Sequence, residues 1–149
     1  MSEAAPAFDV RLGSWAELGP AARAIREAVF VREQGIPIEI EWDEVDAACL
    51  HAVAFDAAGR ALATGRMFEH VPGVAKIGRM AVLSEARGLG VGRAVLDALT
   101  QGARERGYGE ALLHAQLSAK GFYLRAGFET RGDEFEEADI VHVEMIRAL

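Results

Sequence analysis

The feature that most constrains this chain is a glycine-rich segment, Arg87–Gly92 (RGLGVG), between a strand-like run and a helix-like one. The apolar run Ile77–Leu83 precedes it, and an amphipathic helical pattern follows from about Val91 to Arg106. Three glycines at alternate positions leave the backbone uncovered, so its N–H groups can approach a ligand closely. The helix adds unpaired N–H groups and the positive end of its dipole. With the fixed charge of Arg87 at the entrance, these groups predict a site for a ligand that carries a pyrophosphate.

Three interpretations of this segment compete on the residues alone. A dinucleotide-binding fingerprint requires glycines at its first, third and sixth positions, but the sixth position counted from Gly88 is Arg93. A mononucleotide P-loop requires Gly-Lys-Ser/Thr at its end, whereas Arg93 and Ala94 follow Gly92. The third interpretation is a glycine-rich turn without a ligand, which a lone G-x-G-x-G pattern leaves open.

Charge and composition limit the partners and the location. The formal net charge is −7, which disfavours non-specific nucleic-acid binding and suits a cationic substrate. The sequence has no run of eighteen apolar residues and no basic or apolar leader in MSEAAPAFDV, so we predict a cytoplasmic protein without a membrane span. The single cysteine, Cys49, fits a reducing compartment and is predicted to be a small apolar thiol. No histidine pair has metal-ligand spacing, so no metal is predicted.

The residue pattern predicts an α/β fold with about seven strands in a mixed sheet and about four helices. Strands are predicted at Phe8–Leu12, His51–Phe55, Ala61–Glu69, Ala75–Leu83, Glu110–Gln116, Phe128–Phe135 and Ile140–Arg147. Helices are predicted from Gly19-Pro20 until Gly35 and Pro37, from Val91 to Arg106, and at Lys120–Arg125. The segment Glu39–Asp46 is predicted to be an acidic loop or short helix, Asp133–Asp139 an acidic turn, and residues 1–7 a frayed terminus.

Two motifs about thirty residues apart resemble those of a known superfamily. Arg87-x-x-Gly90-x-Gly92 matches the Q/R-x-x-G-x-G/A motif of the GNAT superfamily of acyl-CoA N-acyltransferases, and Gly121–Phe128 resembles its tyrosine followed by x-x-x-G-F. The order of the predicted elements is similar to the GNAT fold over nearly the whole chain, as one domain, 1–149. Finer features resemble the ElaA-type subgroup: Val29–Gln34, Asp43–Asp46, His51, Ala115-Gln116 and Ile140–Met145.

This resemblance implies the fold and the half of the site that holds the acyl donor. The GNAT sheet is splayed between strands 4 and 5, and acetyl-CoA is the expected co-substrate. The glycine segment is expected to bind its pyrophosphate through backbone N–H groups, and the preceding strand end is expected to pair with its pantetheine arm as another strand would. The residues assigned to the cofactor are Met80, Ala81, Val82, Arg87, Gly88, Leu89, Gly90, Val91, Gly92 and Gln116. For Gln116, an equally weighted alternative to cofactor binding is that it is a polar residue at a strand end that contacts no ligand.

The chemistry implied by the resemblance is acyl transfer to an amine. Tyr123 matches the family's tyrosine that protonates the leaving CoA thiolate. A base must also take a proton from the amine, directly or through water, and the residues leave its identity open. The base candidates are His142 and Glu144 on one face of the last strand, His51 beside the acidic segment, and Glu33 at the end of the first helix; His114 shares a strand face with Gln116.

The sequence therefore predicts an N-acetyltransferase that moves an acetyl group from acetyl-CoA to a primary amine by direct attack in a ternary complex. Two alternatives stay open: a non-catalytic acyl-CoA-binding or regulatory module on the same fold, and a nucleotide-binding domain unrelated to acyl transfer. The expected acceptor is a small-molecule or peptide amine, with neither nucleic acid nor membrane as a partner. The resemblance is also compatible with a homodimer, since dimers are common in the family.

Overall fold

The structure, a computed structural model, describes residues 8–149, so the terminus predicted to fray lies outside the described residues. Its strands are β1 (Phe8–Gly13), β2 (Leu50–Asp56), β3 (Ala61–Val71), β4 (Val74–Val82), β5 (Glu110–Gln116), β6 (Glu129–Glu137) and β7 (Ile140–Ala148). Its α-helices are α1 (Trp15–Arg26), α2 (Ile38–Glu41), α3 (Val91–Glu105) and α4 (Lys120–Arg125). A π-helical segment, Glu27–Glu33, continues α1, and short 3-10 turns occupy Glu44–Ala48, Ser84–Ala86 and Leu117–Ala119.

The strands form the mixed sheet that the sequence predicts. Across the described residues they hydrogen bond in the order β1-β2-β3-β4-β5-β7-β6. The pair β4–β5 is parallel, whereas β7 is antiparallel to both β5 and β6. A parallel pair needs a crossover connection, which α3 supplies before Gly107 ends it at a positive φ of 86°. No helix within residues 8–149 is long and apolar enough to cross a membrane.

The fold divides into two compact units, of which the first contains residues 8–66 and 79–99. Here β1 pairs antiparallel with β2, so that Phe8 lies opposite Asp56 and Gly13 lies opposite His51. The core packs the apolar face of α1 and the π-helical segment with residues of β2 and β4: Leu18, Ala22, Ile25, Val29, Phe30, Val53 and Ala81. Each large apolar side chain that is removed from water in this way contributes roughly 1.5–3 kcal/mol.

The start of α1 differs from the prediction that Gly19-Pro20 begins the first helix. The helix begins at Trp15, and Pro20 lies inside it. Ser14 and Glu17 form a capping box: the Ser14 hydroxyl accepts from the Glu17 backbone N–H, and the Glu17 carboxylate accepts from the Ser14 N–H at 2.9 Å. Because this box satisfies unpaired N–H groups, it fixes the helix start five residues before the proline.

The second unit contains residues 67–78 and 100–149. Its central strand is β5, which pairs with β4 on one side and with β7 on the other. Ala111, Leu113, Val143 and Met145 are buried in its core. The bounds of β5 and α4 coincide with those predicted from the sequence.

The acidic turn predicted at Asp133–Asp139 is wrong. Strand β6 continues to Glu137, and only Ala138 and Asp139 turn the chain, with positive φ values of 52° and 62°. Pairing with β7 resumes from Phe135–His142 to Glu137–Ile140 after a register irregularity. Pairing with β7 therefore keeps this polar segment in a strand, although its composition favours a turn. Its carboxylates lie on β6, the last strand in the sheet order.

Candidate active site

The loop Arg87–Gly92 joins the 3-10 turn Ser84–Ala86 to the N-terminus of α3. Gly88 and Gly90 have positive φ values of 83° and 84°, and a Cβ added at either glycine would meet no atom within 4 Å. Backbone that alternates between left-handed and other conformations directs successive N–H groups into an anion-binding concavity. The loop therefore combines glycine backbone that a ligand can approach closely with the N-terminus of a fifteen-residue helix.

The end of β4 leads into this loop and has an unusual backbone. Arg79 adopts a positive φ of 51°, which is rare for a residue with a side chain. Ala81, two residues further along, is buried in the first unit's core. The Met80 sulfur packs against Gly65, since a Cβ added at Gly65 would lie only 2.5 Å from that sulfur. The parallel pairing of β4 with β5 begins where Val74 lies opposite Glu110 and ends where Ile77 lies opposite Leu113. Both strands continue beyond this paired stretch, β4 to Val82 and β5 to Gln116.

The Arg87 side chain is occupied by protein acceptors. Its two terminal nitrogens donate to the two carboxylate oxygens of Glu33 at 2.7 and 2.8 Å, and Nε and Nη2 donate to the Val82 carbonyl at 3.2 and 3.0 Å. These hydrogen bonds lower the pKa of Glu33 and raise that of Arg87. A carboxylate with a lowered pKa is a weaker base, so the pair weakens the case for Glu33 as the catalytic base.

Tyr123 lies in α4 and is 7% exposed. Its ring makes edge-on contacts with Phe122 and Phe128, at centroid distances of 5.0 and 6.0 Å. Burial raises the pKa of Tyr123 well above its ordinary value. The phenol therefore keeps its proton at neutral pH, as an ordinary tyrosine also does, and the raised pKa makes it a weaker acid than an exposed tyrosine.

Two histidines and two carboxylates come together on β5, β6 and β7. His114 lies opposite Glu144 in the β5–β7 register, with Nε2 3.4 Å from a Glu144 oxygen and Nδ1 3.2 Å from Glu137. His142 Nε2 is 3.7 Å from the other Glu137 oxygen. Arg131 donates to Glu144 at 2.8 Å, and its hydrogen bond lowers the pKa of that carboxyl. Of the predicted base candidates, His142 and Glu144 thus belong to one cluster.

The orientation of the His142 ring identifies its basic nitrogen. Nδ1 is 2.7 Å from the Ile140 carbonyl. Because a carbonyl can only accept, Nδ1 carries the hydrogen, and Nε2 is the basic nitrogen of the neutral ring. Phe135 stacks on this ring at a centroid distance of 6.0 Å, and Gln116 pairs with His142 in the β5–β7 register.

His51, another histidine candidate, belongs to the first unit and is not a member of this cluster. It is 1% exposed, its Nε2 donates to the Asp46 carbonyl at 2.8 Å, and its ring lies 4.8 Å from that of Trp15. Burial lowers the pKa of His51. His142 is also buried and also bonds a backbone carbonyl, but its Nε2 faces the Glu137 carboxylate, whereas the pKa of His51 is lowered by burial, which disfavours its protonated form.

Three carboxylates of the acidic segment, Glu41, Asp43 and Asp46, pair with arginines that the sequence analysis did not single out. Arg26 binds Glu41 and also donates to Asp46 at 2.8 Å. Arg66 donates to Asp43 at 2.7 Å and to Asp46 at 2.8 Å, and Arg79 donates to Asp43 and to the last carbonyls of α2. Burial acts to raise the pKa of Asp46, but the hydrogen bonds from Arg26 and Arg66 outweigh it and hold that pKa below its usual range.

One local signal could have revealed this network. Arg26 falls on the same helical face as Ala22, Ile25 and Val29, where a charged side chain would have to be paired. Nearby, Cys49 is buried, donates to the Val45 carbonyl, and has its pKa raised by burial to about 11. That environment disfavours the reactive thiolate.

Comparison with known proteins decides the family. Residues 44–149 match the acetyltransferase (GNAT) domain model. This chain belongs to the GNAT acetyltransferase family. It is 37% identical over 127 residues to a Bacillus subtilis (strain 168) protein named as an acetyltransferase, covering 83% of this chain and 84% of that protein.

Solved GNAT structures agree with this assignment. An acyl-CoA N-acyltransferase from Pseudomonas aeruginosa superposes with a TM-score of 0.83 at 31% identity, covering 95% of this chain and 99% of that one. Escherichia coli ElaA superposes with a TM-score of 0.83 at 24% identity over 94% of this chain and 99% of ElaA, which confirms the likeness to ElaA at the level of the fold. The GNAT fold and the GNAT-type acyltransferase class predicted from the sequence are both confirmed.

Proposed function

We propose that this GNAT enzyme transfers an acetyl group from acetyl-CoA to a primary amine by direct attack in a ternary complex. The observation that carries the proposal is the pair of left-handed glycines, Gly88 and Gly90, at the N-terminus of α3. Backbone without side chains here allows a diphosphate to approach closely, and the Lys-Ser/Thr of a mononucleotide P-loop is absent after Gly92. The family supplies the acyl-CoA expectation, and acetyl is the acyl group we assign.

Within this proposal Tyr123 is the proton donor to the departing CoA thiolate. A phenol that stays protonated at neutral pH supports that role. The backbone N–H groups near Ala81 and Val82 are proposed to stabilise the oxyanion formed when the amine attacks the thioester.

We assign the base role to His142 rather than to Glu33 or His51. Its Nε2 is the basic nitrogen of the neutral ring, and Glu137 at 3.7 Å would stabilise the imidazolium formed when Nε2 takes a proton. The carboxylates Glu137 and Glu144 also favour a cationic acceptor, in agreement with the net charge of −7. The acceptor is therefore proposed to be a small-molecule or peptide amine that is protonated in solution.

Calorimetry with Gly90→Ala tests the diphosphate loop. A non-glycine residue at a φ of 84° costs about 1–2 kcal/mol, and relief of that strain moves the N–H groups away from the ligand. We expect the Kd for acetyl-CoA to rise about tenfold. The matched control is Gly59→Ala in the β2–β3 turn, which has the same φ of 84° and an equally open Cβ position. It should leave the Kd unchanged, and wild-type protein that binds ATP but not acetyl-CoA would refute the proposed function.

Steady-state kinetics of His142→Asn test the base. We expect kcat to fall about tenfold with the Kd for acetyl-CoA unchanged, which is less than typical for a lost base because nearby carboxylates can still accept the proton through water. His70→Asn, at an exposed position of β3, is the control and should keep full activity. An unchanged kcat for His142→Asn would exclude His142 as the base.

A further inference from the structure

The first residue of the glycine loop is linked to two other parts of the first unit. The Arg87 guanidinium bridges the Val82 carbonyl, at the end of β4, and the Glu33 carboxylate, at the end of the π-helical segment. The contact with Glu33 is bidentate, which fixes the direction of the planar guanidinium as well as its position. Arg87 immediately precedes the left-handed Gly88, so this link is made where the loop conformation begins.

The π-helical segment explains how Glu33 reaches Arg87. If α1 continued as a regular α-helix, Glu33 would follow Phe30 by three residues and Val29 by four, on the face that packs into the core. Val29 and Phe30 are indeed buried, but the Glu33 side chain is 42% exposed. The segment uses wider turns, such as the bond from the Gln34 N–H to the Val29 carbonyl at 3.0 Å. Such turns shift the following residues around the helix axis and are frequent at functional sites.

The Arg87 guanidinium thus makes four hydrogen bonds to acceptors of the protein itself, and the Glu33 carboxylate balances its charge. We propose that Glu33 is a positioning residue for the acyl-CoA loop, acting through Arg87, and that Arg87 braces the loop instead of binding the diphosphate with its side chain. Binding of the diphosphate then falls to the backbone N–H groups of the loop and of α3. This inference rests on the proposed use of acetyl-CoA.

Titration of Glu33→Gln with acetyl-CoA by calorimetry separates this inference from its opposite. The glutamine loses the charge and one of the two hydrogen bonds, so the loop is less firmly held and the Kd should rise roughly three- to tenfold. If Arg87 were instead a phosphate ligand restrained by Glu33, the same substitution would free its charge and lower the Kd. A lower or unchanged Kd would overturn the inference.

The pair Arg60–Glu85 provides a matched control in the same unit. Its nitrogen and oxygen are 2.6 Å apart, and its side chains are 54% and 53% exposed, against 45% and 42% for Arg87 and Glu33. Glu85 also lies two residues before Arg87 in the chain. Glu85→Gln should leave the Kd for acetyl-CoA unchanged, whereas an effect equal to that of Glu33→Gln would mean that any nearby charge change suffices and would overturn the inference.

A double-mutant cycle tests whether Glu33 acts through Arg87. Arg87→Gln should weaken binding about as much as Glu33→Gln, and the double variant should be no weaker than Arg87→Gln alone, because both substitutions break one link. Additive losses would overturn the inference. Glu33→Asp keeps the charge on a shorter side chain, so its Kd should lie between those of wild type and Glu33→Gln. Wild-type protein without acetyl-CoA affinity would refute the proposed function as well, whereas the other contrary outcomes refute only the role of Glu33.

Discussion

Replacing Tyr123 by phenylalanine is expected to lower kcat about 100-fold while leaving the Kd for acetyl-CoA nearly unchanged. A phenol holds its proton at neutral pH, so the departing thiolate can take that proton when the two groups meet. Phenylalanine keeps the ring and its edge-on contacts with Phe122 and Phe128, so the change removes only the hydroxyl. Release of CoA thiol during turnover measures kcat, and calorimetry measures the Kd.

Tyr108→Phe is the matched control for this prediction. Tyr108 is half-buried in the connection between α3 and β5, and loss of its hydroxyl should leave kcat unchanged. An unchanged kcat for Tyr123→Phe would remove Tyr123 from the mechanism. If the wild-type protein binds acetyl-CoA but releases no CoA with any amine in a broad panel, the alternative of a non-catalytic acyl-CoA-binding module gains support.

Replacing Asp46 by alanine is expected to lower the free energy of unfolding by about 3–5 kcal/mol. Asp46 is 4% exposed and accepts from Arg26 at 2.8 and 3.1 Å and from Arg66 at 2.8 Å. Without this carboxylate, three cations would face only Glu41 and Asp43, and the charges of Arg26 and Arg66 would be poorly compensated away from water. Since domains are typically stable by about 5–15 kcal/mol, this loss is a large share of the total.

Urea unfolding followed by circular dichroism measures the change, with Asp9→Ala as the control. Asp9 also pairs with an arginine, Arg11, but their nearest atoms are 3.6 Å apart and both side chains are about two-thirds exposed. Its loss should leave the urea midpoint unchanged. If Asp46→Ala unfolds at the same midpoint as wild type, the buried network does not stabilise the fold.

The two elements whose bounds were predicted correctly each have a glycine near one end. Strand β5 follows the turn at Gly107, and α4 ends just before Gly127, two glycines with φ near 90° that mark where regular structure stops. The start of α1 also has a local signal, since Ser14 and Glu17 have capping-box spacing, and this signal outweighs the proline at position 20. In each case neighbouring residues decide the boundary, so a sequence is sufficient to find it.

The features that were not predicted depend on residues far apart in the chain. Arg87 pairs with Glu33 across 54 positions, and Arg79 reaches the carbonyl of Glu41 across 38. The sequence motif identified the loop of Arg87, but it could not indicate that a carboxylate would already occupy the guanidinium. For the same reason the acidic segment, expected as a loop or short helix, holds an Asp46 that is buried between two arginines.

Strand β6 has a consequence for the behaviour of the protein at high concentration. It is last in the sheet order, and all of its residues except Phe135 are exposed. From Glu129 to Asp139 the chain carries six carboxylates and one arginine, which amounts to five of the seven net negative charges. An uncovered edge strand invites pairing with a strand of another molecule, and closely spaced like charges oppose such an approach. The carboxylates of β6 thus protect this edge of the sheet against pairing with a second molecule, which is the first step of aggregation.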